Sequence, residues 1–351
     1  MQTRRLFAGS NSAQGFYSLF QHIIGPEARR VYLLKGGPGT GKSRLMKTLA
    51  EKLQREGYVL ELFFCSSDSK SLDAVACPEL GVAVIDATFP HVQDPVFPGC
   101  RDELISVGDF WDAQKLEEKR EEIITGGEVK AAHFAAAFRY FAAAHALEEN
   151  EAARNSSTKR DCSAEIKEIL EEIHQARKDT ALPKPARHLF ASALTPEGYV
   201  SEIEFLSQGF RVYILEGAPG TGQSQWLEVI LRHAELAGLQ AEAFHYPLNP
   251  EKLMHLLLPE LQLAVLSSRE LEPLKGLEGR RIFCGSGAGW SNSRDHELFT
   301  ELIGLGISEL QGAQKAHVKI EQYYTEAMDF RAVDALRQGL EAELLSYKNR
   351  S

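Results

Sequence analysis

The sequence predicts an α/β protein of two tandem domains, each a parallel sheet covered by helices on both faces and extended at its C-terminus by further helix. Three observations carry this expectation. The 351-residue chain is roughly twice the ordinary ~150-residue domain. Short apolar runs of strand type alternate with stretches of helical periodicity. The chain also repeats itself: VYLLKGGPGTGKS at Val31–Ser43 returns as VYILEGAPGTGQS at Val212–Ser224. At a constant offset of 181 residues, 18 of the 56 positions of Val31–Asp86 match Val212–Ser267 without a gap. RLFAGSNSAQG and HLFASALTPEG align upstream after a two-residue shift. Repetition of this density marks a duplication.

The elements follow in chain order. A short N-terminal helix is expected from Ser12, and in the second half from Thr195-Pro196, a threonine N-cap with proline at N1. Next come an apolar strand, a glycine loop and a helix that places Leu45, Met46, Leu49 and Leu53 on one stripe. Val59–Phe64 reads as the second strand and Val82–Ile85 as the third, matching Leu263–Leu266. Glu103–Val107 reads as the fourth, matching Arg281–Cys284. Each half ends in helix: alanine-rich Glu128–Ala146 and charged Ser163–Lys178 close the first. The helix around Ala131–Tyr140 resembles that around Lys315–Tyr324, aligning His133 with His317 and Tyr140 with Tyr324, all read as packing or surface residues. The two prolines of Ala181–His188 mark a linker, dividing domain 1–182 from domain 183–351.

Composition bounds the function. The chain is 44% hydrophobic and 25% charged, values of an ordinary globular protein. A net charge of -10 removes any global electrostatic case for nucleic acid or an anionic membrane as partner. Cys65, Cys77, Cys100, Cys162 and Cys284 are odd in number and form no CxxC pair, so neither a disulfide framework nor a zinc motif is indicated. No apolar run approaches the ~20 residues of a membrane helix, and no signal core precedes Gly9. The reading is a reduced, cytoplasmic protein.

Gly36–Ser43 fits GxxxxGK[ST] in full, between an apolar strand and an amphipathic helix. Glycines let successive backbone amides curl around a phosphate, and the following helix points its positive end at the same anion. Gly37, Pro38, Gly39, Thr40, Gly41, Lys42, Ser43 and Arg44 are therefore the expected nucleotide-binding run. Lys42 can reach the β- and γ-phosphates, and the Ser43 hydroxyl can ligate Mg²⁺. Val82–Asp86 supplies a strand ending in a carboxylate, the group needed on the metal side.

On these residues the sequence resembles the P-loop NTPase superfamily, with Walker A at Gly36–Ser43 and Walker B at Val82–Asp86. The Cys65–Asp73, Ala87–Pro95 and Gly108–Asp112 runs extend the resemblance to an uncharacterised family of bacterial tandem P-loop ATPase-like proteins with a degenerate second P-loop. The resemblance implies two P-loop NTPase-like domains and nucleotide binding, and no particular substrate.

The second half departs coherently: Lys42 becomes Gln223, Asp86 becomes Ser267 and Asp68 becomes Asn249, while Ser43 survives as Ser224. It reads as a catalytically degraded partner domain that docks on the first. Ala87 stands where many such ATPases carry a glutamate base, so Asp68, after the second strand, is the candidate base or acceptor contact, against a turn-forming role. His91 and Asp94 could face the γ-phosphate, against loop packing. Glu61 and its twin Glu242 read as structural, because the pair persists in the degraded half. Thr158–Asp161 matches the TKxD guanine signature but follows no strand, so ATP stays ahead of GTP. The expected activity is Mg-dependent ATP binding and hydrolysis by the first half, with Lys42, Asp86 and Asp68 catalytic. A small-molecule kinase or a nucleotide-gated switch is the alternative.

Overall fold

The computed structural model describes residues 3–177, 182–285 and 289–349. Ala181, the first residue of the expected linker, and Lys178, the expected end of the charged helix, lie outside them. The first repeat contains β1 (Arg4–Leu6), β2 (Gly9–Ser12), β3 (Gly15–Ser18), β4 (Arg30–Lys35), α1 (Lys42–Arg55), β5 (Glu61–Phe64), β6 (Leu72–Cys77), β7 (Val82–Asp86) and β8 (Asp102–Ser106). It continues through α2 (Ala113–Glu118), α3 (Arg120–Asn155) and α4 (Ser163–Ala176). The second repeat contains β9 (Arg187–Leu189), β10 (Ser192–Thr195), β11 (Gly198–Ser201), α5 (Ile203–Leu206), β12 (Arg211–Glu216), α6 (Gln223–Leu236), β13 (Glu242–His245), β14 (Leu253–Leu258), β15 (Leu263–Ser267), β16 (Arg280–Phe283), α7 (Ser293–Ala327) and α8 (Phe330–Ser346).

Each repeat builds one six-stranded sheet in the same order, β1-β5-β6-β7-β4-β8 and β9-β13-β14-β15-β12-β16. The two halves are thus similar α/β units, as a duplication requires. The sheets are mixed rather than parallel: β6 runs antiparallel to both β5 and β7, and β14 does the same between β13 and β15. The extra strand escaped the sequence because LDAVAC, buried at every position, carries no alternation to announce it.

Ser12 and Thr195 do not start helices. Each ends the first strand of a hairpin, and its hydroxyl accepts from the amide two residues on (Gln14 at 3.1 Å, Glu197 at 3.2 Å). The capping chemistry is real, but it closes a turn. The two hairpins join through β2 and β10 into a four-stranded sheet, β11-β10-β2-β3, that belongs to both repeats.

Side chains alternate across each sheet. In the first, Tyr32, Leu34, Val75, Val82 and Val84 face α1. Val31, Leu33, Ala74, Ala83 and Ile85 face a core shared with Val212, Ile214, Phe244 and Leu266 of the second. The inner faces are therefore covered by the other repeat and the hairpins, and long helices cover only the outer faces.

Those outer helices are exchanged. Val333, Leu340 and Leu344 of α8 pack with Leu45 and Leu49 of α1, in the first repeat. Ile166, Ile169 and Ile173 of α4 pack with Leu227 and Ile230 of α6, in the second. The arms that carry them across are α3 and α7, of 36 and 35 residues, far longer than the alanine-rich Glu128–Ala146 segment expected. At ~1.5 Å rise per residue each spans about 50 Å. They run antiparallel, with His133 Nδ1 2.6 Å from Glu309 Oε2 and Arg154 bonded to Asp295. A Cβ at Gly306 would lie 2.3 Å from the Phe141 ring, so the seam needs glycine there. None of the described helices is long and apolar enough to cross a membrane.

Glu61 and Glu242 hold the junction between the repeats. Arg4 bonds Glu61 (2.9 Å) and both oxygens of Glu242 (2.7 and 2.6 Å), and Arg187 bonds both oxygens of Glu61 (2.9 and 2.7 Å). The structural role expected from their persistence is the one observed. Glu61→Ala removes the carboxylate hydrogen-bonded to the part-buried Arg187 guanidinium and leaves Arg4 with Glu242 alone, and is expected to cost about 3 kcal/mol. Glu202→Ala, which removes the partner of the exposed Arg5, should cost about 1 kcal/mol or less. Urea midpoints distinguish the two; equal shifts would show that the tetrad is not a fastening.

Candidate functional site

The glycine loop joins β4 to α1. Gly39 (φ 70°) and Gly41 (φ 88°) occupy the left-handed region, and Gly220 (φ 88°) and Gly222 (φ 103°) reproduce them in the second repeat. Gly41 is the N-cap of α1, with no side-chain cap and no acidic residue in the first turn, and Gly222 stands likewise before α6. Asn292 caps α7 and Asp329 caps α8 by accepting from first-turn amides, while α3 and α4, which also lack a side-chain N-cap, carry Glu121, Glu122 and Glu165 in their first turns. Thus α1 and α6 keep their first-turn amides free of side-chain acceptors.

Lys42 is buried and folded back on the loop, its Nζ donating to Gly36 O (2.8 Å) and Gly37 O (2.7 Å). Asp86, at the end of β7, places Oδ2 3.6 Å from that ammonium and accepts from Thr88 N through Oδ1 at 3.0 Å. Ser43 Oγ accepts from Leu72 N at 2.9 Å. Lys42 and Asp86 therefore meet, while Ser43, the next residue of α1, is bonded to the start of β6. Asp68 is tied into its own turn, accepting from Lys70 N (3.2 Å) and Ser71 Oγ (2.6 Å). Asp94 is an exposed partner of Lys35, whereas His91 is buried against Phe20 and Phe16.

Sequence reasoning missed the roof. α7 of the other repeat lies on this loop: a Cβ on Gly37 would fall 2.5 Å from the Tyr324 ring, and one on Gly39 would fall 2.5 Å from Glu321 O. Thr325 Oγ1 donates to Gly39 O at 3.4 Å. Burial raises the Glu321 carboxyl above its usual range, with Asp68 adding to the shift. Burial lowers His317 to about 4, with Lys130 of α3 and Lys42 adding to it. His133 sits in the interhelical seam and His317 at this site, so their sequence alignment does not make them equivalent in space. Nothing in the local sequence around Glu321 could have signalled this, because the contact depends on the helix exchange.

The second loop has the same backbone without the lysine and the strand-end aspartate. Gln223 Nε2 donates to Gly217 O at 2.7 Å, replacing the ammonium bond of Lys42 with a neutral one. Arg269, at the position of Thr88, donates to Ser224 Oγ (2.6 Å) and lies over the Tyr246 ring. Ser224 also donates to Leu253 O at 2.7 Å. The end of α3 covers this loop, with Ala152 O 2.2 Å from where a Gly220 Cβ would stand.

Residues 17–103, which hold the first loop, Asp86 and the strands between, match the model of the family described as Nephrocystin 3, N-terminal. No curated protein and no solved structure matches the chain.

Proposed function

We propose that the chain binds Mg-ATP through the first glycine loop, as a P-loop NTPase, and hydrolyses it, with the second repeat as a regulatory pseudo-NTPase unit. The reading is supported above all by the contrast between two loops of one backbone: Lys42 and Asp86 flank the first, and Gln223 and Ser267 replace them in the second.

The residues fit the ligand. Left-handed glycines and an uncapped fourteen-residue helix give backbone donors for phosphate. The Lys42 ammonium exchanges its two carbonyl partners for phosphate oxygens, and Ser43 and Asp86 offer the oxygen donors that a hard cation prefers. Bound Mg²⁺ supplies charge neutralisation on the phosphates. Asp68, which accepts from Lys70 N and Ser71 Oγ in its own turn, is the acid proposed to orient water or an acceptor once that turn opens.

The seating of α7 on the loop favours a switch component in the same reading. Phosphates beside Lys42 bring negative charge next to Glu321, which favours release of α7, so that ATP shifts the packing between the repeats. Calorimetry tests the site: one Mg-ATP per chain is expected, and two equivalent sites would overturn the asymmetry. In the same preparation, Asp86→Asn should depress phosphate release about 100-fold while moving the dissociation constant less than about tenfold, because metal-side charge serves the transition state most. Unchanged turnover would move the metal-side acid elsewhere.

A further inference from the structure

Three adjacent strand ends bring Cys65, Asp73 and His91 together. Cys65 follows β5, Asp73 lies on β6 and His91 sits in the loop after β7. Their thiol, carboxylate and imidazole atoms all lie within 4.8 Å of one another, with His91 Nε2 3.7 Å from Asp73 Oδ1. Asp73 is 4% and His91 8% exposed. Among the described residues, Asp73 has no cationic partner within 4 Å except His91. The imidazole is stacked on Phe20 (centroids 4.8 Å apart) with its Nδ1 buried and without a hydrogen bond. A buried carboxylate whose nearest cationic group is an imidazole 3.7 Å away, beside a thiol, is a costly arrangement.

The duplicate treats these positions otherwise. Tyr246, Met254 and Glu272 stand there, and Glu272 is satisfied by His255 (3.1 Å), Tyr199 (2.9 Å), Ser192 (3.3 Å) and Ser201. All three potential ligands change together in the repeat that also lost Lys42.

We propose that Cys65, Asp73 and His91 are a three-ligand site for a borderline divalent cation of the zinc type. One sulfur, one nitrogen and one oxygen form a donor set that zinc accepts, and three protein ligands leave the fourth tetrahedral position open. Bond lengths of ~2.3 Å to sulfur and ~2.0–2.1 Å to nitrogen and oxygen set ligand atoms about 3.5 Å apart. Asp73 and His91 are already near that separation, and the thiol closes the remainder by about an ångström. Binding exchanges the thiol proton for the metal: Cys65 releases H⁺ to solvent as the sulfur–metal bond forms. Mg²⁺, which demands octahedral oxygen, is a poor occupant, so this site is distinct from the proposed nucleotide metal and does not rest on it. A catalytic Cys–His pair fits less well, since a reactive thiolate needs electropositive surroundings and this thiol faces a carboxylate. The ligands sit on separate strands, so no CxxC-like spacing announces them.

The test titrates metal-free full-length protein with Co²⁺, without nucleotide, and then with Zn²⁺. The expected result is a thiolate-to-cobalt charge-transfer absorption that saturates at one equivalent and is displaced by zinc. Cys65→Ser should abolish the band, and His91→Asn should weaken cobalt affinity at least tenfold. Cys100→Ser, at an exposed thiol, and Lys42→Ala should leave both unchanged. No band in the wild type, a band surviving Cys65→Ser, full affinity in His91→Asn, or loss of the band in Lys42→Ala would each overturn the proposal. If Cys65→Ser does not fold, His91→Asn decides by itself.

Discussion

Lys42→Ala should lower ATP turnover by about two to three orders of magnitude, whereas Gln223→Ala should leave it within about twofold. The first change removes a buried ammonium aimed into the glycine loop, the kind of preorganised charge whose loss costs about 10²–10³ in rate. The second removes an amide that donates to one loop carbonyl, in a loop whose serine is already taken by Arg269 and Leu253 O. Phosphate release by full-length protein measures both. A large effect at Gln223, or none at Lys42, would mean that the chemistry does not follow the charge. Folding is controlled by the melting transition, since Lys42 also ties down Gly36 and Gly37.

The parts of the site that lie close in sequence were legible. Lys42 and Ser43 come with the loop, and Asp86, although α1, β5 and β6 intervene in the chain, ends an apolar run that forms β7, the neighbour of β4 in the sheet, so local pattern marks all three. Asp68 was legible as a residue but divided in role: the structure shows the turn that its SSDS surroundings favour, and its function remains with the proposal. What the sequence concealed depends on contacts between the repeats. β6 was hidden because both its faces are buried, by α1 on one side and by the shared core on the other. The hairpins were hidden because Ser12 and Thr195 use for a turn the same hydroxyl-to-amide bond that starts a helix. The exchange of α4 and α8 has no local signature. Its one trace is length: helices of 36 and 35 residues are more than a single domain of this size needs. The roof of Glu321 and Tyr324 follows from that exchange, and so was beyond reach of any motif.

Severing the chain between Leu182 and Lys184 should leave residues 1–182 unable to fold alone. The cut keeps α4 on the first fragment, where its partner α6 is missing, and takes away α8, which covers α1. Ile166, Ile169 and Ile173 are 1%, 0% and 1% exposed in the intact chain. Returning three such side chains to water costs about 5–9 kcal/mol, comparable with the whole stability of an ordinary domain. The fragment also loses the far side of the core that Val31, Leu33 and Ile85 share with Ile214 and Phe244. It should therefore aggregate or lack a cooperative melt, and co-expression with residues 183–351 should restore both a soluble complex and turnover. Because the junction in the intact chain is intramolecular, the separated halves must meet at the expense of that effective concentration, so recovery should rise with fragment concentration. A monomeric 1–182 fragment that melts like the intact protein and turns over ATP at its rate would refute both the exchange and the regulatory role of the second repeat. A folded fragment without turnover, regained when the other half is added, would keep the role and limit the exchange to a contribution smaller than its buried surface suggests.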